Sequence, residues 1–107
     1  MPLDILITDF HENIEKSIPL RISDYDLIRR KISDLKNFPL LEKCLSNYYG
    51  DYEIYLNQVP DLKKEVLTFR NLFKPSFSES LKDFISGFLD LIEYAIENRR
   101  TIKFIGD

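Results

Sequence analysis

The chain has 107 residues, which is the length of one domain of ordinary size. Apolar residues make up 44% of it and charged residues 31%, a balance that is typical of a globular protein and excludes a disordered or low-complexity chain. The 18 acidic and 15 basic residues give a net charge of -3. This acidity argues against a protein that binds nucleic acid, because such proteins carry a basic surface that faces the phosphates.

The apolar runs and the cysteine content predict where the protein works. No apolar run is longer than four residues, so we expect no transmembrane helix and no membrane partner. The N-terminal segment has an acid at position 4 and no base, so we expect no secretory signal. Cys44 has no second cysteine with which to form an internal disulfide, and a cytoplasmic location is the simplest expectation.

Two extended segments open the chain. Residues 3–8 are rich in β-branched side chains, and a polar turn over residues 9–13 separates them from residues 14–22. In the second segment the apolar residues fall on even positions and so share one face: Ile14, Ile18, Leu20 and Ile22. The two segments are predicted to pair as an antiparallel hairpin.

Two helices are predicted to follow the hairpin. The first covers residues 23–37 with Ser23 as its N-cap, and the second begins at Pro39 and ends near Gly50. Residues 52–56 then alternate between apolar and polar side chains. That pattern is compatible with a short strand and equally with an extended lead-in to the next helix.

Two longer helices are predicted over residues 58–73 and 77–98, each with apolar residues spaced by three and four. Ser76 and Glu79 have the spacing of a capping box at the start of the last helix. Gly87 lies inside that helix, where glycine costs roughly 1 kcal/mol relative to alanine. A close helix crossing at Gly87 is one explanation of its presence.

Residues 101–105 are predicted to form a strand beside the N-terminal hairpin. The sequence shows no internal repeat and no linker, so residues 1–107 are expected to form a single domain. The predicted fold class is α+β and helix-dominated, with about four helices packed on a three-stranded sheet made of the N-terminal hairpin and the C-terminal strand.

No set of residues points to catalysis or to a cofactor. His11 is the only histidine, and although Asp9 and Glu12 lie close to it in sequence, no second histidine or reactive cysteine completes a common metal site. Cys44 lies on an apolar stripe, where a buried thiol is expected rather than a nucleophile. The chain has neither a glycine-rich phosphate loop nor a nucleophile elbow. We therefore expect a protein that is not an enzyme and uses no metal or cofactor.

Residues 47–58, NYYGDYEIYLNQ, hold four of the six tyrosines and no base. Tyrosine offers a large, rigid contact area with a polar tip, which is typical of binding surfaces, although tyrosines that only cover the end of a core give the same pattern. Tyr48 and Tyr52 fall on apolar stripes and are expected in the core. The predicted partner-binding residues are the other members of this segment, with a second candidate surface on the last two helices: Tyr49, Asp51, Glu53 and Tyr55, then Asp61, Asp83, Asp90 and Glu97.

Three stretches of the chain carry a resemblance to a known class of proteins: Leu3-Asp4-Ile5, Tyr48-Tyr49-Gly50-Asp51 and Ile102-Lys103-Phe104-Ile105-Gly106-Asp107. In these stretches the chain resembles small acidic immunity-type proteins of bacterial polymorphic or contact-dependent toxin systems. The resemblance implies a non-catalytic cytoplasmic inhibitor that covers the active site of a toxin. It transfers no site residues, because immunity proteins bind toxins through surfaces that differ between families.

The predicted partner is accordingly a protein, in particular a basic toxin domain, and not nucleic acid. Against a basic nuclease, the acidic groups would stand in for phosphates and speed association. The protein itself is expected to be a monomer or a weak homodimer. The alternative function is a structural or regulatory subunit that dimerises or docks through an apolar helix face, such as the one that carries Leu67 and Leu72.

Overall fold

The computed structural model describes residues 3–35, 37–46 and 51–106. These residues form four strands and four α-helices, with one 3₁₀ turn before the last helix. The strands are β1 (Leu3–Thr8), β2 (Ile14–Leu20), β3 (Asp51–Ile54) and β4 (Ile102–Ile105). The helices are α1 (Ile22–Leu35), α2 (Pro39–Cys44), α3 (Val59–Phe73) and α4 (Glu79–Asn98), and the 3₁₀ turn is Lys74–Ser76.

The strands form one antiparallel sheet in the order β2-β1-β4-β3. The predicted hairpin of β1 and β2 and the predicted strand β4 beside it are confirmed. The prediction of three strands is wrong, because β3 pairs with the free edge of β4, with Tyr52 opposite Phe104. A pattern of four alternating residues fits a strand as well as an extended segment that leads into a helix. The pairing with β4, some fifty residues away, is what makes this segment a strand.

The core lies between one face of the sheet and the helices. The side chains that this inner face buries completely come from all four strands: Leu3, Ile5, Ile7, Leu20, Ile54, Ile102 and Phe104. The Phe88 ring of α4 meets the Phe104 ring edge to face at 6.1 Å between centroids. This contact places α4 directly over the inner face of the sheet.

A bulge in the hairpin changes which residues of β2 face the core. Ile7 pairs with Lys16 but Thr8 pairs with Ile14, so that Glu15 is the extra residue. The bulge moves Ile14 to the outer side of the sheet, where it is 63% exposed. Ile22, which already belongs to α1, is also exposed. The prediction that Ile14 and Ile22 share one face of the strand with Ile18 and Leu20 is therefore wrong.

The N-terminal end of α2 receives its cap from another helix. Phe38 stands at the N-cap position and offers no side-chain acceptor. Instead the Glu65 carboxylate of α3 accepts hydrogen bonds from the backbone N–H of Leu40, at 3.0 Å and 3.1 Å to its two oxygens, and from that of Leu41 at 3.0 Å. A carboxylate at this end also complements the helix dipole.

The starts of α1 and α4 differ from their predicted positions. α1 begins at Ile22, so Ser23 lies inside its first turn and is not the N-cap. At α4 the cap is Ser78, whose Oγ accepts a hydrogen bond from the Leu81 N–H at 3.1 Å, whereas Ser76 belongs to the 3₁₀ turn. The predicted capping box at Ser76 is therefore wrong by two residues.

Gly87 marks the place where α4 passes close to β2. A Cβ atom at Gly87 would lie 2.5 Å from Cδ1 of Ile18. The close approach that glycine permits is therefore between a helix and a strand, not between two helices as the sequence suggested.

Candidate interaction surfaces

The outer face of the sheet carries two of the predicted contact residues. Asp51 is exposed on this face and Glu53 is half-buried on it, while Tyr52 and Ile54 point to the core. These four orientations confirm the predicted alternation. The alternation over residues 52–56 predicts Leu56 on the same side as Tyr52 and Ile54, but Leu56 is exposed, because the strand ends at Ile54 and a turn follows.

Asp51 and Glu53 both have polar neighbours that reduce their availability. Asp51 accepts a hydrogen bond from the backbone N–H of Gly106 at 3.2 Å. Glu53 lies directly opposite Lys103 in β4, at the separation where cross-strand charges attract.

A cleft of about 330 Å³ at the end of this face mixes both signs of charge. Three bases and three acids line it: Arg99, Arg100, Lys103, Asp9, Glu12 and Glu53. Such a balanced surface has no net attraction for a strongly basic partner.

The other members of the tyrosine-acid segment do not join this face. Tyr48 and Tyr49 lie outside the described residues. Tyr55 is 58% exposed in the turn between β3 and α3, where its N–H donates to Oε1 of Gln58 at 3.2 Å. Within the described residues, the first predicted surface is therefore divided between a strand and the turn that follows it. Asp61, which belongs to the second predicted surface, is exposed in the first turn of α3.

The tip of the β1–β2 hairpin holds an exposed aromatic residue that sequence reasoning missed. Phe10 is 94% exposed, although Oδ1 of Asp9 orders the turn by accepting the backbone N–H groups of His11 at 2.8 Å and Asn13 at 2.9 Å. The hydrogen bond from Asn13 is the main cause that lowers the pKa of Asp9 below its usual value. Arg100 lies 5.6 Å from the centroid of the Phe10 ring. The signal in the sequence was Phe10 itself, because it is an apolar residue in an otherwise polar turn.

Three residues of the second predicted surface, Asp83, Asp90 and Glu97, lie on the outward side of α4 together with Glu79. We call these four residues the acidic ridge. All four side chains are exposed. Their spacings of four, seven and seven residues keep them on one face of the helix. At a rise of 1.5 Å per residue, the ridge extends over about 27 Å.

Few bases accompany the ridge. Glu79 is 3.7 Å from Nζ of Lys82, and Glu93 at the edge of the ridge pairs with Lys63 of α3. Asp83, Asp90 and Glu97 make no ion pair in the part of the chain that the structure describes. The ridge therefore keeps most of its negative charge.

The ridge and the outer face of the sheet point in opposite directions. Phe88 contacts Phe104 on the inner face of the sheet, and the ridge occupies the side of α4 opposite Phe88. The predicted contact residues on α4 and on β3 therefore belong to two separate surfaces, and one rigid partner domain of ordinary interface size would reach only one of them.

Two further properties of the described residues bear on the kind of site. Across residues 3–35, 37–46 and 51–106, no group of three or more His, Cys, Asp and Glu side chains is arranged to hold a metal ion. In the same part of the chain no helix has the length and apolar character needed to cross a membrane.

The described residues form a small α+β domain with one acidic helix face, and a solved structure with a similar fold is known. No family model matches this chain, and no curated protein sequence matches it. Among solved structures the chain is similar to the Neisseria DNA mimic protein DMP12, with a TM-score of 0.63 and 14% sequence identity. The likeness covers 98% of this chain and 99% of that one. At this identity it establishes a shared fold.

This likeness corrects the prediction about partners. The sequence pointed to a basic toxin domain and set nucleic acid aside, whereas the protein that shares this fold is named for its mimicry of DNA. Acidic groups that stand in for phosphates were expected only against a toxin nuclease. The same acidity also fits other protein surfaces that bind phosphates.

Proposed function

We propose that this protein is a non-catalytic binding protein that presents its acidic ridge to the DNA-binding surface of a partner protein, in the place of DNA. The observation that carries the proposal is the row of four exposed carboxylates on α4, of which Asp83, Asp90 and Glu97 have no ion-pair partner among the described residues. The shared fold with a DNA mimic protein supports it.

The dimensions of the ridge indicate which DNA-binding proteins fit. One strand of DNA advances about 3.4 Å per phosphate, so about 27 Å of ridge corresponds to roughly eight phosphates. The ridge offers four carboxylates over this length, and Glu93 beside it is already paired with Lys63. The ridge provides negative charge but nothing that corresponds to the edges of the DNA bases. The fitting partner is therefore a protein that binds the DNA backbone irrespective of sequence.

A competition assay tests the proposal. A fluorescein-labelled DNA duplex is bound to a purified, sequence-neutral DNA-binding protein from the same organism, and release of the duplex is followed by fluorescence anisotropy as this protein is added. We expect release, and we expect the triple variant Asp83→Asn, Asp90→Asn, Glu97→Gln to release the duplex less effectively. Exposed ion pairs contribute roughly 0.2–1 kcal/mol each, so the three substitutions should weaken competition by roughly 3- to 150-fold.

A matched control separates the ridge from the overall charge. The variant Asp4→Asn, Asp26→Asn, Glu42→Gln also removes three exposed acids and changes the net charge equally, from -3 to 0. It should compete like the unmodified protein. Equal losses in the two triple variants, or no release of the duplex by the unmodified protein from any such partner, would refute the proposal.

Two sequence-based hypotheses stay predictions. The immunity-type resemblance is tested by none of the comparisons. The alternative of a subunit that docks through α3 rests on Leu72, which is exposed, and on Leu67, which is half-buried.

A further inference from the structure

A cleft of about 270 Å³ lies beside the N-terminal part of the acidic ridge, where β2, α1 and α4 meet. Seven residues line it: Ile18, Pro19, Arg21, Asp24, Ser80, Asp83 and Phe84. Pockets that enclose small-molecule ligands usually measure roughly 300–1,000 Å³, so this cleft is better matched to one side chain than to a whole ligand.

A buried carboxylate forms part of the cleft. Asp24 is only 3% exposed, and its Oδ2 accepts a hydrogen bond from the Ser80 hydroxyl at 2.7 Å. Buried acids are uncommon in proteins because removing a carboxylate from water is costly. Asp83, three residues after Ser80 and therefore on a neighbouring part of the same helix face, places a second, exposed carboxylate at the cleft.

The remaining lining is apolar apart from one base. Ile18 and Pro19 of β2 and Phe84 of α4 provide the apolar surface. A surface of this kind suits the methylene stem of a long basic side chain, whose charged end then reaches the carboxylates. A guanidinium group suits two carboxylates better than an ammonium group does, because its planar fork donates several hydrogen bonds in fixed directions.

We propose that this cleft receives a single arginine side chain of the partner, with the guanidinium between Asp24 and Asp83 and the stem against Ile18, Pro19 and Phe84. The inference rests on the proposed function, since the partner is the basic protein that meets the ridge. It adds a specific anchoring point to a surface that otherwise offers only a row of charges.

Arg21 opposes this binding, because it is the one base in the lining and repels an incoming guanidinium. Arg21 is exposed and precedes α1, and its backbone carbonyl accepts the Tyr25 N–H at 2.9 Å. Replacing its side chain by alanine should therefore leave the fold intact and strengthen arginine binding. A purely structural role of Asp24, as a tie between α1 and α4 through Ser80, does not lead to that expectation.

The test is an NMR titration of the ¹⁵N-labelled protein with N-acetyl-arginine amide at constant ionic strength. The matched control ligand is N-acetyl-citrulline amide, which has nearly the same shape and no charge. We expect saturable shifts of the amide resonances of Arg21, Asp24, Ser80 and Asp83 with the arginine ligand only. R21A should tighten binding by about 2- to 5-fold, D83N should weaken it by a similar factor, and D90N, on the same ridge but outside the cleft, should leave it unchanged.

Three results would overturn the inference: no saturable shift, equal shifts with the citrulline ligand, or shifts that are as large around Asp90 as around Asp83. The failure of the inference is distinguishable from failure of the proposed function. Ridge-dependent release of DNA without arginine binding in the cleft overturns only the inference. Arginine binding in the cleft without any release of DNA overturns the proposed function and leaves the cleft as a site for an arginine from another class of protein.

Discussion

Removal of the Glu65 carboxylate should destabilise the protein more than its partly exposed position suggests. Glu65 lies on α3 but accepts the backbone N–H groups of Leu40 and Leu41 at the start of α2. α2 has only six residues and no side-chain cap of its own. In Glu65→Ala these two N–H groups lose their acceptor, and the α2–α3 contact loses its polar part.

The size of the effect follows from the bonds that are lost. Loss of an N-cap acceptor costs roughly 0.5–2 kcal/mol, and a hydrogen bond to a charged group contributes roughly 1.5–3 kcal/mol. Because Glu65 is half-buried and water replaces part of the interaction, we expect a loss of about 2 kcal/mol in the free energy of unfolding. In a domain of this size that loss lowers Tm by roughly 8 °C or more. Glu65→Gln, which keeps one acceptor oxygen, should lose about half as much.

Urea unfolding followed by circular dichroism measures the loss, and amide hydrogen exchange at Leu40 and Leu41 shows whether it is local. The control is Glu42→Ala, which removes an exposed acid from the first turn of α2 itself and should change stability by less than about 0.5 kcal/mol. If Glu65→Ala were no less stable than Glu42→Ala, or if exchange at Leu40 and Leu41 were unchanged, capping of α2 from α3 would be refuted.

Three further predictions concern other parts of the molecule. Gly87→Val should lower the free energy of unfolding, measured in urea, by roughly 1–3 kcal/mol because the valine side chain would meet Ile18. Adding Ile18→Ala should restore part of this loss. Full stability of Gly87→Val alone would contradict the close approach of α4 to β2. Burial is the main cause that raises the pKa of the Cys44 thiol, so Cys44 should react with a disulfide reagent at pH 8 only after unfolding. Stability should accordingly fall as the pH rises above the ordinary thiol pKa of about 8.5, and Cys44→Ala should lack this fall. Because the pKa of Asp9 is lowered, its stabilisation of the hairpin turn should be complete above the ordinary carboxyl pKa of about 3.9 and should be lost as the pH falls through the lower, folded-state pKa. The amide resonance of Asn13 should move in that pH range, and a resonance that stays fixed would contradict this prediction.

The sequence was most informative where a pattern runs through one continuous element. α4 was predicted over residues 77–98 and extends over Glu79–Asn98, because its apolar spacing persists for more than five turns. The same periodicity placed Asp83, Asp90 and Glu97 on the exposed side. Likewise, alternation alone gave the outward orientation of Asp51 and Glu53.

The sequence was least informative where two distant segments meet. β3 exists because it pairs with β4, and Glu65 caps a helix that begins about 25 residues before it. Asp24 lies in the first turn of α1, and only the packing of α4 buries it against Ser80. None of these contacts leaves a local pattern in the chain.

The sequence by itself therefore determined the long helices and the side of α4 that faces water, because the helix period is a property of consecutive residues. Only the tertiary structure decided that the two candidate acidic surfaces lie on opposite sides of the molecule. It also decided the neighbours of each acid: Lys103 lies opposite Glu53 in the sheet, the Gly106 N–H donates to Asp51, and Asp90 makes no ion pair within the described residues. The electrostatic character of a surface depends on neighbours that are distant in sequence, and folding alone brings those neighbours together.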